Sequence, residues 1–266
     1  MLTATEPSQF AWSAVERLDR WLTLHDLEGY EPFDGLNSWL RPLAVGRLGR
    51  QALQQLVLHA PINLRPMLGI APASSSKGMG YLARGYLELY TLTGDSGYLT
   101  IADRCLSWLL ANGAPNQPGL SWGNHFEYQS RAFHLPRGAP TLVWTALIGH
   151  AFVESFELRS RPIDADAVGR IVEFMLTGLE RRDLGDGTCF SYVPNEFVGI
   201  HNANALAAAF LARASRLLHD PKLEAVARDA ATYTVDAQRD DGSWWYGEEP
   251  KYHWVDNWHT AYVLDS

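Results

Sequence analysis

The chain has 266 residues with 22 Lys plus Arg against 30 Asp plus Glu, a formal charge of −8. An acidic balance with no basic cluster speaks against DNA or RNA as the main partner, and no apolar run approaches the roughly 18 residues of a membrane helix. Hydrophobic residues at 47% exclude disorder, and only two cysteines, Cys105 and Cys189, fit a reducing cytoplasm rather than a disulfide framework.

Taken in chain order, Phe10, Ala14, Leu18, Trp21 and Leu22 mark a first amphipathic helix and Leu43 to His59 a second. Ser76 to Thr91 carries Met79, Leu82, Ala83, Tyr86, Leu89 and Tyr90 on one face. Only Leu92-Thr93-Gly94 separates it from a partner over Asp95 to Ala111, with Asp95 as N-cap and Asn112-Gly113 as the stop. This is a helical hairpin, and it recurs. Thr141 to Leu158 pairs with Asp164 to Leu179. Asn202 to Leu218 pairs with a helix that Asp220 caps, that Pro221 opens and that runs to about Gln238. A fourth helix of the inner type opens near Asp256.

The inner helices start near Lys77, Thr141, Asn202 and Asp256, at intervals of 64, 61 and 54 residues. No strand alternation is evident, so the fold expected is all-α, one domain of repeated hairpins. Connections from inner to outer helix are short (92–95, 159–163, 219–220). Those from outer back to inner are long (about 112–140, 180–201, 239–255). Because hairpins alternate direction, every long loop emerges at one end, and long loops are usually functional. The chain stops within its last helix, before any outer partner, so the ring of hairpins is expected to be incomplete at the C-terminus.

The long loops carry the chemistry-bearing residues. The first holds Trp122-Gly123-Asn124-His125-Phe126-Glu127 and Arg131. The second holds Tyr192 and ends in His201-Asn202-Ala203-Asn204. The third holds Asp241-Gly242-Ser243-Trp244-Trp245-Tyr246-Gly247-Glu248 and then Asp256 and His259. Upstream, Asp34 and Arg65 match them in type. Flat aromatic faces beside Asn, Asp, Glu, His and Arg suit sugar rings, whose C–H faces stack while their hydroxyls take polar partners. On this reading Trp122, Glu127, Arg131, Asn202, Asn204, Trp245, Tyr246, Asp34 and Arg65 bind a saccharide, while His201, Tyr192, Glu248, Asp256 and His259 are the acid/base candidates. Each also has a plainer role available, as an end plug of the bundle, a helix cap or a local ion pair. No zinc-ligand spacing, phosphate-binding loop or nucleophile elbow is present, so neither metal nor cofactor is expected.

The hairpins, the connector Leu92-Thr93-Gly94-Asp95 with Tyr98-Leu99, and the aromatic rim resemble the (α/α) toroid superfamily. It contains six-hairpin glycosidases, alginate- and heparin-type lyases, sugar 2-epimerases and uronyl C5-epimerases. The chain is most similar to a bacterial group of that plan. Asp241-Gly242-Ser243-Trp244 also resembles a short motif of the squalene and terpene cyclases, whose acidic DxDD run is missing here. The resemblance implies a lyase or epimerase in which Tyr192 or His201 takes the C5 proton and Asn202 or Arg131 holds the uronate carboxylate. Loop 239–256 sets Arg239 and Lys251 against Asp240, Asp241, Glu248, Glu249 and Asp256, a negative balance that repels a polyuronate. A hydrolase would instead need two facing carboxylates, for which Glu127, Glu248, Asp256 and Asp34 are available. A non-catalytic repeat scaffold binding a glycan or protein, and a terpene-cyclase-like enzyme, are the remaining alternatives.

Overall fold

A computed structural model describes residues 9–131, 133–185 and 187–266. Its helices are α1 (Gln9–Leu24), α2 (Gly46–His59), α3 (Ser76–Thr93), α4 (Ser96–Ala111), α5 (Leu142–Arg159), α6 (Pro162–Glu173), α7 (His201–Leu218), α8 (Pro221–Asp236) and α9 (Asn257–Asp265). The caps fall where local chemistry puts them. Asp95 accepts from the Gly97 amide, Thr141 from Trp144, Asp220 from Lys222 and Asp256 from His259. Gly94, left-handed at φ 73°, ends α3 and lets the chain reverse within a few residues into α4. The second partner helix starts at Pro162 and finishes in a π turn over Phe174–Gly178 rather than running straight to Leu179.

The hairpins α3–α4, α5–α6 and α7–α8 pack side by side, and α3, α5, α7 and α9 contact one another in sequence as an inner layer. Position in that layer explains composition. Helix α5 is buried on nearly every side, and α7 buries five alanines, which let its backbone lie close to α5 and α8. One core runs from Leu27 to Tyr252 and through these hairpins. A smaller cluster of Leu36, Ala44, Leu53, Val57, Leu68 and Ile70 sits beside it around α2.

The structure departs from the strand-free expectation in the long loops. Strand β1 (Tyr128–Gln129) pairs antiparallel with β2 (His134–Leu135), and β3 (Arg181–Asp183) with β4 (Thr188–Phe190). Pairs this short carry no period-2 signal, which needs about four residues to register. Among the described residues no helix is long and apolar enough to cross a membrane, and no group of three or more His, Cys, Asp or Glu is placed to hold a metal ion.

Candidate functional site

A cavity of about 1010 Å³ opens where the long loops gather. Each inner helix contributes its first turn: Lys77 from α3, Val143 and Trp144 from α5, Asn202 from α7, Trp258 and His259 from α9. The loops close it with Glu31, Phe33, Asn124, Phe126, Tyr128, Arg131, Phe133, Tyr192, Tyr246 and Trp254, and Tyr81 and Tyr262 lie further along α3 and α9. The aromatic walls are internally packed. Tyr246 stacks on Trp254 at 4.5 Å between centroids, and Phe133 tilts against Tyr192 at 4.8 Å.

Polar groups interrupt this apolar sheath. Lys77 bonds Glu31 at 3.1 Å and lies over the Trp144 ring at 4.9 Å; Arg131 lies over Trp254 at 4.5 Å. Asp256 uses both carboxylate oxygens on His259: Oδ1 accepts from the backbone amide at 2.8 Å and Oδ2 lies 2.6 Å from Nδ1. Burial alone would raise the Asp256 carboxyl, but these bonds outweigh it and hold the group below its ordinary value. An Nδ1 proton directed at Asp256 leaves the Nε2 lone pair of His259 for other work. Burial pushes the phenols of Tyr192 and Tyr246 well above their ordinary value, so they act as neutral donors at physiological pH. Among the described residues, Nε1 of Trp144 and Oδ1 of Asn202 have no hydrogen-bond partner, and both atoms are shielded from solvent.

Of the residues anticipated from sequence, Arg131, Tyr192, Asn202, Tyr246 and His259 line the cavity, with Asp256 directly behind His259. The others are turned elsewhere. His201 is 2% exposed and faces Glu248, with Nε2 to Oε1 at 2.6 Å, and stacks against Tyr233. Consecutive helical residues point about 100° apart, so His201 and Asn202 do not converge as the pair implied by the resemblance. Burial lowers the His201 imidazole despite the Glu248 bond. Trp122 is fully buried, donates to the Leu109 carbonyl at 3.0 Å and stacks on Phe152, a core plug rather than a sugar platform. Asn204 spends its amide on Phe190, Thr188, Ala230 and Thr234.

Asp34 is buried against Arg65 at 2.8 Å, and Arg65 also bonds the Glu31 carbonyl, so this pair shapes the wall behind the cavity. Glu127 is held by Arg41 and His134. Burial would raise its carboxyl, but those hydrogen bonds win and lower it. Trp245 stacks on His253 at 3.6 Å, outside the lining. The acidic loop residues are likewise directed away: Glu248 to His201, Glu249 to Lys251 at 3.0 Å, Asp241 to Arg239 at 3.6 Å. Asp256, by contrast, stands behind the lining residue His259, so part of the loop's negative balance stays beside the cavity and opposes an anionic sugar. Glu31 is the one carboxylate among the described lining residues, and Lys77 already holds it.

Sequence reasoning assigned no site role to Lys77, Trp144, Trp254, Trp258, Tyr81 or Tyr262. One signal was available. The inner-helix residues at the mouth of the cavity stand two or three positions after their N-cap, at Lys77, Trp144, Asn202 and His259.

No family model matches the sequence, and no curated protein matches it. Solved structures do. Cellobiose 2-epimerase from Bacillus thermoamylovorans B4167 superposes with TM-score 0.54 at 14% identity, over 85% of this chain and 63% of that one. Unsaturated glucuronyl hydrolase from Bacillus sp. GL1 gives 0.53 at 13%, over 82% and 58%. A family 76 glycoside hydrolase (mannosidase) from Bacteroides thetaiotaomicron VPI-5482 gives 0.51 at 13%, over 72% and 52%. The likeness gives this chain an all-α toroid fold. The chain spans less than two thirds of the length of each.

Proposed function

We propose that this chain carries the substrate cavity of a carbohydrate-active enzyme that moves a proton on a sugar, of the epimerase or lyase type. One observation carries the reading: an imidazole, His259, stands at the wall of an aromatic-lined cavity with its far nitrogen oriented by Asp256. A base held this way is the device general acid–base catalysis uses. In the proposed step, Nε2 of His259 takes the proton from a carbon next to a carbonyl or carboxylate, and the C–H electron pair moves onto the carbonyl oxygen. A proton delivered from solvent to the opposite face, with His259 returning its own to solvent, inverts the centre; in elimination the enolate pair forms the double bond and the glycosidic oxygen leaves the next carbon with the proton that His259 carries. Tyr192 and Tyr246 offer neutral O–H donors near that oxygen, and the aromatic walls take the sugar's C–H faces. The neighbours' activities are consistent with a saccharide substrate and differ among themselves in reaction.

The hydrolytic alternative requires two carboxylates flanking the scissile bond. The lining supplies Glu31, which is engaged with Lys77. A dry hydrocarbon site is disfavoured by Asn124, Asn202, Lys77 and Arg131 in the same walls, and a shallow docking rim by the cavity's volume of about 1010 Å³.

The test is a glycan panel in deuterated water, read by mass spectrometry for deuterium at the sugar carbon, by unsaturated-uronate absorbance and by reducing ends. The reading expects exchange or elimination, and expects His259→Gln to lower turnover by about 10²–10⁴-fold with the helical circular-dichroism signal intact. Reducing ends released without exchange or elimination, or undiminished turnover in the variant, would overturn it.

A further inference from the structure

We propose that the hydroxyls of Tyr128, Tyr192 and Tyr246 form an oxyanion-binding site, holding the sugar oxygen that gains charge when His259 takes the proton. The proposal rests on the proton-transfer reading above and adds Tyr128 to it as a third donor.

The backbone brings the three rings to one part of the cavity they line. Tyr192 and Tyr246 stand at matching places in the repeat. The Tyr192 carbonyl accepts from the Leu142 amide that opens α5, at 2.9 Å, and the Tyr246 carbonyl from the His201 amide that opens α7, at 3.1 Å. Helices α5 and α7 are neighbours, and packed helices lie about 8–10 Å apart, a gap that two tyrosine side chains span. Tyr128 enters from β1 with Phe33 packed against it at 5.4 Å, and Phe133, just before β2, packs on Tyr192. Tyr246 meets His259 edge-on at 4.5 Å, so the group borders the base.

The hydroxyls are also available. Among the described residues none of the three hydrogen-bonds a protein group, and none is shielded in the way Nε1 of Trp144 and Oδ1 of Asn202 are. Burial raises all three phenols; Tyr192 and Tyr128 raise Tyr246 further, and Tyr128 raises Tyr192, so the oxygens lie within electrostatic reach of one another. Tyr262, the next phenol along the wall, is engaged with Tyr81 instead. A neutral phenol donates a hydrogen bond and keeps its proton, which is what a developing oxyanion requires of its surroundings. In the step, the C–H pair moves to the carbonyl oxygen, the proton rests on Nε2 of His259, and no proton leaves a tyrosine.

The experiment titrates the full chain calorimetrically with the hydroxamates of gluconic, mannonic and galactonic acids, whose planar anions copy a sugar enediolate, and with the matching neutral amides. It is repeated with Tyr128→Phe, Tyr192→Phe and Tyr246→Phe, each of which keeps the ring and removes only the hydroxyl. The expected result is a hydroxamate bound about tenfold or more tightly than its amide and weakened about tenfold by each substitution. The melting temperature of the unliganded variants should be unchanged or raised. On the substrate that exchanges deuterium, each variant should lose about 10²-fold in kcat with little change in KM. A hydroxamate bound no better than its amide, affinity or exchange that ignores Tyr128→Phe, or a melting temperature lowered by several degrees in that variant would each overturn the site; deuterium exchange in the parent would still leave the proton-transfer reading standing. Hydroxamate binding that depends on the three hydroxyls, with no exchange or elimination on any glycan, would overturn that reading and leave the anion site standing. No hydroxamate bound and no exchange would overturn both.

Discussion

At the scale of single residues, position in the packing decides what a titratable group does. His259 and His201 both open an inner helix and both meet a carboxylate at 2.6 Å, yet one borders the cavity and the other is sealed beside Tyr233. His150 shows the consequence for stability. Burial between α3 and α7, with Arg213 donating to its Nδ1 and Arg84 nearby, lowers its imidazole from 6.5 to about 4, although Glu154 pulls the other way. Phe210 packs edge-on against the ring at 5.7 Å. Between those two values the unfolded chain binds the proton and the folded chain does not, so stability is greatest above the upper value and falls as pH drops towards 4. His150→Gln should flatten that part of the profile, measured as the urea midpoint at a series of pH values relative to the parent.

At the scale of elements, the loop from Arg239 to Asp256 brings Tyr246, Trp254 and Trp258 with His259 to the cavity, and it does so by docking on α7. The His201 amide donates to the Tyr246 carbonyl at 3.1 Å, the His201 ring holds Glu248, and the Tyr246 amide donates to Trp254. Gly247 lies so close that a Cβ there would meet the Gly199 carbonyl oxygen at 2.5 Å. Gly247→Ala should lift the loop off α7. The expected signature is faster proteolytic cleavage within 239–256 and loss of saccharide binding, with helical circular dichroism retained. His201, anticipated as a catalytic group, thus has a geometry suited to anchoring this loop.

At the scale of the whole molecule, the inner helices aim their N-termini at one cavity, and their dipoles place partial positive charge around it, where the described lining sets Glu31 against Lys77 and Arg131. The distribution of burial also sets an order of opening. The core through α3, α5 and α7 is continuous, the cluster around α2 is small, and α1 buries no residue completely. Hydrogen exchange should therefore be fastest in α1, intermediate in α2 and slowest in α5 and α7. Exchange in α2 as slow as in α7 would show that the two clusters open together.

The repeat of helical hairpins, the caps at Asp95 and Asp220, the helix starts near Thr141 and Asp256, and the gathering of long loops at one end were legible in the sequence. These follow from interactions within a few residues and from the alternation of direction in a hairpin. Which residue of each first turn faces the cavity was decided by tertiary structure. Each successive residue rotates the side chain by about 100°, and the phase of that rotation is set by how α5 and α7 pack. Asn202 rather than His201, and Trp144, which sequence reading passed over, are at the wall for that reason. Trp122 entered the core for a related one: α4 and α5 leave a space its ring fills and a carbonyl its N–H reaches, and only the assembled helices create either.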